Sequence, residues 1–320
     1  MKKFINIGII GSNQGNGHPI SFSSIFNGYN QKYLKKFCKF KLIKEYLPKF
    51  HKNKKLNMIQ SAKVNYIWTQ SKINSYKISK ISNIKNICNT LEEMSEKVDA
   101  VILARDDIEN HLKIAEIFLK KKIPIFIDKL IVSDQMSLKR FQKISKNKLY
   151  MSCSSARYTS QIQKISKIKY KIKKDTVFVI GYSKKNWIRY AHHLLEGILK
   201  IFGYDVAKVR CISQQKGKSE IYQLIYKNGL NVSLYFSENL HLPINFMCLK
   251  KSTTPIYVPY EDYFFSIKKM MQEFEKMVRF KKNTIPVNEM IKITKIVIAG
   301  DLSKKNSQSF YSPDSLRVIK

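Results

Sequence analysis

Residues 98–130 read VDAVILARDDIENHLKIAEIFLKKKIPIFIDKL, and three changes of pattern inside this stretch decide the fold class. Val98 to Ala104 is a short, nearly continuous apolar run, the composition of a strand buried on both faces. From Asp107 to Lys122 the spacing becomes helical, with Ile108, Leu112, Ala115 and Leu119 on one face. Ile123 to Ile127 is apolar again and runs into Asp128 and Lys129. Strand, helix and strand in that order make a βαβ unit, because parallel neighbours need a long crossover between them. The stretch therefore predicts a parallel sheet.

Toward the N-terminus the same alternation recurs. Phe4 to Ile10 is a strand candidate, Gly11 to Gly17 a turn rich in Gly and Asn, and Pro19 opens a helix that Gly28 ends. A buried strand, a glycine turn and a helix bring backbone N–H groups and a helix N-terminus to a dinucleotide pyrophosphate. Here Ile7 to Pro19 read IGIIGSNQGNGHP. Asn13 and Asn16 stand where G-x-G-x-x-G would have glycines, while Gly15 and Gly17 supply flexibility in a shifted register. The candidate cofactor contacts are Gly11, Ser12, Asn13, Gly15, Asn16, Gly17 and His18, the last with substrate contact as its alternative. The next strand, Lys63 to Thr69, runs into Gln70-Ser71-Lys72 and lacks the acidic residue that ordinarily binds the ribose hydroxyls. Ser71 and Lys72 suit a 2′-phosphate and Gln70 suits the ribose itself, so NAD and NADP both stay open. The segment Tyr29 to Asn57 shows no clear period and reads as an insertion.

Toward the C-terminus a helix near Ser137 to Ser145 and a strand near Leu149 to Ser154 come first. Two β-rich runs, Ile221 to Tyr226 and Leu230 to Phe236, then flank Asn228-Gly229, a strong hairpin signal. Helices over Glu261 to Arg279 and Val287 to Ala299 complete an α+β half with antiparallel pairing. The predicted boundary separates residues 1–130 from 131–320.

The 320 residues are 44% hydrophobic, which suits compact domains, and 59 Lys+Arg against 23 Asp+Glu give a net charge of +36. Such a charge suggests a polyanion partner. Arginine, the preferred residue for bidentate phosphate and guanine contacts, is scarce, and the lysines spread along the chain without a basic tail. The pattern predicts a solvated lysine surface, with no nucleic acid and no membrane as partner. The longest apolar runs fall far short of the roughly 20 residues of a membrane helix, and the N-terminus lacks the pattern of a cleaved signal peptide; a cytoplasmic chain is expected. Cys38, Cys88, Cys153, Cys211 and Cys248 are dispersed, with no Cys-x-x-Cys pair. Reduced, buried thiols and no metal are the prediction.

The stretch 98–130 resembles the Gfo/Idh/MocA oxidoreductases, NAD(P)-dependent dehydrogenases and reductases acting mainly on sugars, inositols and sugar nucleotides. The likeness continues through MSCSSARY at Met151 to Tyr158, WIRYAHHLLEGIL at Trp187 to Leu199, and the closing PVNEMIKITKIVIAGDLSKKN. It covers most of the chain outside roughly Tyr29 to Asn57. It implies an α/β protein: an N-terminal Rossmann domain with a parallel sheet, then a C-terminal α/β domain with an open, mainly antiparallel sheet. Through that sheet copies would associate as a homodimer or homotetramer.

By the same resemblance Lys129 stands at the lysine of the family's Glu-Lys-Pro motif, here Asp128-Lys129-Leu130. The family implies that this lysine lies near the nicotinamide and the reacting hydroxyl, where it polarises the oxygen or relays its proton. Leu130 in place of proline removes a residue often associated with a cis bond. His193 matches the family's catalytic histidine. Helical geometry adds that Ile188, Ala191, Leu195, Ile198 and Phe202 form one stripe, with His193 and Arg189 nearly opposite. His192 flanks the stripe and reads as a core-edge histidine. Arg189 replaces the family's aspartate and, with Lys184 and Lys185, suits an anionic substrate. Arg105 and Asp106 follow the fourth strand, where the family binds the nicotinamide ribose, and Asp106 suits a helix N-cap equally well. Arg157 and Tyr158 would line the pocket or make a domain-interface contact, and Trp187 and Tyr190 would stack on a sugar or pack. The implied activity is hydride transfer between NAD or NADP and a small carbohydrate: a sugar, sugar phosphate or nucleotide sugar, in a setting such as synthesis of an unusual surface sugar. The alternatives are an NAD-dependent lyase or epimerase with transient oxidation, and a nonenzymatic NAD(P)-binding regulator.

Overall fold

The apolar runs that read as buried strands lie side by side. In the computed structural model, which describes residues 4–13, 15–50, 58–215 and 219–318, the chain divides into two compact units. The first holds the residues up to Val132, Ser137–Ser152 and Ile267–Ile285; the second holds Ser133–Met136, Cys153–Ser266 and the chain from Pro286 onward.

In the first unit the strands are β1 (Ile5–Ile10), β2 (Ala62–Trp68), β3 (Asn86–Ile87), β4 (Ala100–Leu103), β5 (Ile125–Ile127) and β6 (Tyr150–Met151). All pair in parallel, in the order β3-β2-β1-β4-β5-β6. The central strands β4 and β5 are buried at every position and β1 at nearly all, which is why their sequences read as apolar runs without alternation. The order reverses between β1 and β4, and at such a switch point the strand C-termini open a crevice for ligands.

The helices of this unit are α1 (His18–Asn27), α2 (Gln31–Phe37), α3 (Lys41–Phe50), α4 (Lys72–Ile81), α5 (Leu91–Ser95), α6 (His111–Lys120), most of α7 (Gln135–Ile144) and, from far along the chain, most of α11 (Tyr263–Phe280). α1 begins beside Pro19 and stops at Gly28, whose φ of +68° is a left-handed value that favours glycine. α2 and α3 correct the reading of Tyr29 to Asn57 as aperiodic: both are regular helices, α2 capped by Asn30, whose side chain accepts from the Tyr33 N–H at 3.2 Å. Leu34, Cys38, Ile43, Tyr46 and Leu47 turn inward, but lysines fill so much of the rest that the apolar face is narrow. Residues 51–57 of that segment lie outside the described residues. The helix expected from Asp107 opens instead as a 3-10 turn, Ile108–Asn110, before α6. Its buried face is His111, Ile114, Ala115, Phe118 and Leu119; Leu112 is half-buried.

α11 is tied into the first unit at several points. Phe274 meets Phe126 edge-on at 6.0 Å, Ser61 donates to Glu275 at 2.8 Å, and the Tyr150 N–H donates to Asn283, just past α11, at 3.2 Å.

The second unit is a mixed six-stranded sheet. Its strands are β7 (Thr176–Lys184), β8 (Val206–Gln215), β9 (Ser219–Tyr226), β10 (Asn231–Ser237), β11 (Asn245–Lys250) and β12 (Ile256–Pro259), in the order β12-β11-β7-β10-β9-β8. Only β7 and β10 pair in parallel, so the expected mainly antiparallel sheet is found. β9 and β10 form the expected hairpin, closed by residues 227–230 with Gly229 at φ +86° and its N–H donating to the Tyr226 carbonyl at 3.0 Å. The helices here are α8 (Ser160–Lys167), α9 (Lys169–Asp175), α10 (Trp187–Phe202) and α12 (Val287–Lys305). All five cysteines are buried and none forms a disulfide.

Candidate active site

In the first unit the glycine turn sits where the strand order reverses. Gly11 follows β1, and its N–H donates to the Trp68 carbonyl at 3.1 Å. A Cβ at Gly11 would lie 2.5 Å from Pro19 Cγ, so only glycine lets the start of α1 come this close. Gly15 has φ +83° and open space around its Cβ position. Gly17 makes room for the helical insertion, because its Cβ would meet Ile43 at 2.4 Å and the Phe40 ring at about 3 Å. The shifted glycine register thus has a local cause: Phe40 and Ile43 pack onto the turn. The two asparagines that replace glycines act as braces. Asn16 Nδ2 donates to the Ala104 carbonyl at 3.2 Å, its Oδ1 accepts the His18 N–H at 2.8 Å, and Asn13 Oδ1 accepts the Asp106 N–H at 3.3 Å. Ser12 is half-buried beside them.

His18, Asp128 and Lys129 meet beside this turn. His18 Nδ1 lies 2.5 Å from Asp128 Oδ2, Lys129 Nζ lies 3.6 Å from the same oxygen, and the Lys129 N–H donates to Asp128 Oδ1 at 3.0 Å. Burial would raise the Asp128 carboxyl, but the His18 imidazole and the Lys129 ammonium overcome it and hold the group well below the usual carboxylate range. The Lys129–Leu130 peptide is cis, although no proline follows. Next to it is His111, fully buried, whose ring nitrogens lie 2.7 Å from the Leu130 carbonyl oxygen and 3.0 Å from that of Arg105, so that a neutral ring donates to one of the two. It ties the chain after β4 to the chain after β5. Burial pushes its pKa down.

Other expected cofactor contacts are occupied within the protein. The Arg105 guanidinium is buried and grips Asp107 with two nitrogens. Asp107, not Asp106, precedes the 3-10 turn and accepts from Asn110 at 2.7 Å. Ser71 is the N-cap of α4, accepting the Asn74 N–H at 3.4 Å, while Gln70 and Lys72 are exposed.

The turn, the helix N-terminus and the open strand ends fit a dinucleotide. Gly11 and Gly15 would lie along its pyrophosphate, toward which the positive end of α1 points although its first N–H groups are already held, that of His18 by Asn16 Oδ1 and those of Ile20 and Ser21 by the Gly17 carbonyl; Gln70 and Lys72 are exposed at the end of β2, where the ribose is bound in this topology.

In the second unit α10 carries the expected histidine. Asn186 caps it by accepting the Arg189 N–H at 3.2 Å, and Ala191, Leu195, Ile198 and Phe202 are buried as the stripe predicted. His193 is half-buried on the other side, with Nδ1 2.6 Å from Ser154 Oγ, Tyr190 at its edge (5.0 Å) and Tyr260 beyond (6.3 Å). Lys184 and Lys185 lie over the Tyr190 ring at 5.8 and 5.1 Å, and Arg189 is exposed. Tyr158 is half-buried, with Lys200 over its ring at 5.6 Å.

Two expected pocket residues belong to the scaffold instead. Trp187 is 1% exposed, stacks on Tyr222 at 4.0 Å and donates to the Val297 carbonyl at 2.8 Å; Gly300 leaves the space its indole fills. It cannot stack on a sugar. Arg157 is buried in a network with Glu196 (3.1 Å), Tyr204 (2.8 Å) and Glu289. Burial opposes its charge, but Glu196 and the other neighbours hold it firmly protonated. Glu196 also accepts from His192 at 3.1 Å and from the Ser154 N–H at 3.2 Å, so His192 is the core-edge histidine expected. Ser154, Tyr260 and the His18–Asp128 pair were not singled out by sequence reasoning; a serine beside Arg157 and Tyr158 carries no spacing signal of its own.

No sequence-family model and no curated protein matches the chain. Solved structures do. Myo-inositol 2-dehydrogenase from Lactobacillus plantarum matches with a TM-score of 0.74 at 13% identity, over 97% of this chain and 99% of that one. Scyllo-inositol dehydrogenase from Lactobacillus casei, with bound cofactor NAD(H) and scyllo-inositol, matches with 0.72 at 12%, over 98% and 100%. An oxidoreductase from Agrobacterium radiobacter in complex with NAD+, L-tartaric acid and magnesium matches with 0.73 at 11%, over 98% and 100%. The chain has the fold of these dehydrogenases, as the resemblance read from residues 98–130 implied.

Proposed function

We propose that this chain is an NAD(P)-dependent oxidoreductase of the Gfo/Idh/MocA type, moving a hydride to or from a carbon of a polyol or sugar. The observation that carries the reading is the first unit's strand order, with a glycine turn at its switch point and Asp128-Lys129 at the end of β5. The nicotinamide, when bound, supplies the hydride chemistry; the protein supplies orientation and proton handling. Lys129 Nζ, nearly buried and beside an anionic Asp128, would polarise the reacting oxygen. In the second unit His193, 2.6 Å from Ser154 Oγ, stands at the family's histidine position and would bind the substrate there. Exposed Arg189 with Lys184 and Lys185 favours an anionic substrate, a sugar phosphate or nucleotide sugar such as feeds surface-glycan synthesis. Copies would associate through the open face of the second unit's sheet, where Ile180 and Tyr257 are exposed.

The test is calorimetric titration with NAD+ and NADP+, followed by turnover assays on myo-inositol, scyllo-inositol and phosphorylated or nucleotide-linked sugars. Binding of one cofactor near one per chain and its net reduction are expected. Binding with product but no net reduction would favour a lyase or epimerase, and binding without any product a regulator. No binding of either cofactor would end the reading.

A further inference from the structure

His18 is held more tightly than a phosphate contact requires. Its Nδ1 lies 2.5 Å from Asp128, its ring stacks on Phe22 at 4.9 Å and 20°, and its backbone N–H is fixed on Asn16. The imidazole keeps 32% of its surface exposed while the carboxylate keeps 3%, and Nε2 makes no hydrogen bond among the described residues. A carboxylate at this distance offsets the charge a pyrophosphate would draw on and repels a second anion. It also fixes the tautomer, with Nδ1–H toward Asp128 and the Nε2 lone pair outward. Lys129 Nζ lies 3.6 Å from the same oxygen, and an ammonium group is a donor only. It can polarise a hydroxyl but has no lone pair to take the proton.

We propose that His18, oriented by Asp128, is the acid–base residue of the first unit: its Nε2 takes the proton of the hydroxyl being oxidised while Lys129 steadies the developing alkoxide. The assignment rests on the oxidoreductase reading above. In oxidation the substrate O–H bond breaks and its proton forms the Nε2–H bond of an imidazolium, whose charge Asp128 offsets. The C–H bond of the same carbon breaks, its hydrogen leaves with the electron pair to an oxidised nicotinamide, and the C=O bond forms. The imidazolium then gives its proton to water, and reduction runs these steps backward. Base, orienting carboxylate and electrophile all come from one unit, at the ends of β1 and β5.

Two measurements on the full chain test this. The first needs no substrate: near pH 8 diethyl pyrocarbonate acylates Nε2 of neutral imidazoles, and peptide mapping by mass spectrometry follows each histidine. Normalised to exposed His241, the rate at His18 is expected to fall about fivefold or more in Asp128→Asn, because the Nδ1–H bond to the carboxylate activates the outer nitrogen. An unchanged ratio in a variant that keeps its melting temperature overturns the pairing. The second uses NAD+ with myo-inositol and scyllo-inositol as probes. His18→Ala should lose about a hundredfold or more in kcat, keep its cofactor affinity within about twofold, and regain about tenfold with added imidazole. Weakened cofactor binding without rescue would return His18 to a phosphate contact and overturn the proposal. If the wild type turns over neither polyol, the substrate reading fails while the acylation ratio still decides the pairing.

Discussion

Asp128 in the first unit and Glu196 in the second are both buried carboxylates that meet one histidine and one long cation: His18 and Lys129 in one case, His192 and Arg157 in the other. Their surroundings differ in one respect. His18 keeps 32% of its side chain exposed, whereas His192 keeps 2%. Glu196 is closed in by donors of the second unit: His192, Arg157, which continues to Tyr204 and Glu289, and the Ser154 N–H. Both carboxyls are held low against burial, Asp128 chiefly by His18 and Lys129, Glu196 chiefly by His192 and Arg157. The same pairing is sealed in the second unit and leaves one partner facing outward in the first.

The largest test of that contrast is Arg157→Ala. Breaking a buried pair by removing one partner costs about 3–5 kcal/mol, so urea unfolding should show a loss of that size, and Arg157→Lys should recover only part because lysine lacks the fork that reaches two carboxylates. An unchanged midpoint would mean the second network is not sealed. A smaller effect is expected on the turn that carries His18. Gly11→Ala pushes a Cβ against the rigid Pro19 ring and should cost about 1–3 kcal/mol, whereas Gly15→Ala meets open space and should cost only the roughly 1–2 kcal/mol of a left-handed backbone. A larger loss for Gly15→Ala than for Gly11→Ala in thermal melts would break the distinction between packing and backbone conformation.

A pH-dependent effect concerns Lys200, whose ammonium donates to the Arg157 carbonyl at 3.1 Å. Burial, then the Arg157 charge, pushes its pKa down to about 8. Below that value both folded and unfolded chains hold the proton; between it and the ordinary lysine value near 10.4 only the unfolded chain does, so stability rises with pH across that window. Wild-type unfolding midpoints should rise from about pH 8 to about pH 10 relative to Lys200→Met, and a constant difference would show that the network does not strain this lysine.

The parts of the fold legible in sequence are those whose cause is local. β1, β4 and β5 are apolar throughout because they are buried on both faces, and Asn228-Gly229 marks the hairpin because Gly229 alone takes the positive φ. α2 and α3 escaped because lysine on their outer faces hides a narrow inner stripe. In the candidate site Lys129 and His193 were legible through the family pattern, but what each side chain touches was not. Asp128 finds His18 across 110 positions, and Arg157 finds Glu289 across 132. Nothing near Arg157 or Trp187 in the chain announces that α12 will close over them, so both read as pocket residues.

α11 lends its residues to the parallel sheet's unit from beyond residue 266, and this has a consequence for synthesis. When Met151 leaves the ribosome all six strands of that sheet exist, yet Phe274, Glu275 and Asn283, which meet Phe126, Ser61 and Tyr150, do not. At the usual speed of elongation the nascent sheet waits on the order of ten seconds for them. During that interval Phe126 has the Phe22 ring but lacks that of Phe274, and a chain cut short before α11 would leave the uncovered apolar surface bare to chaperones or to other nascent chains.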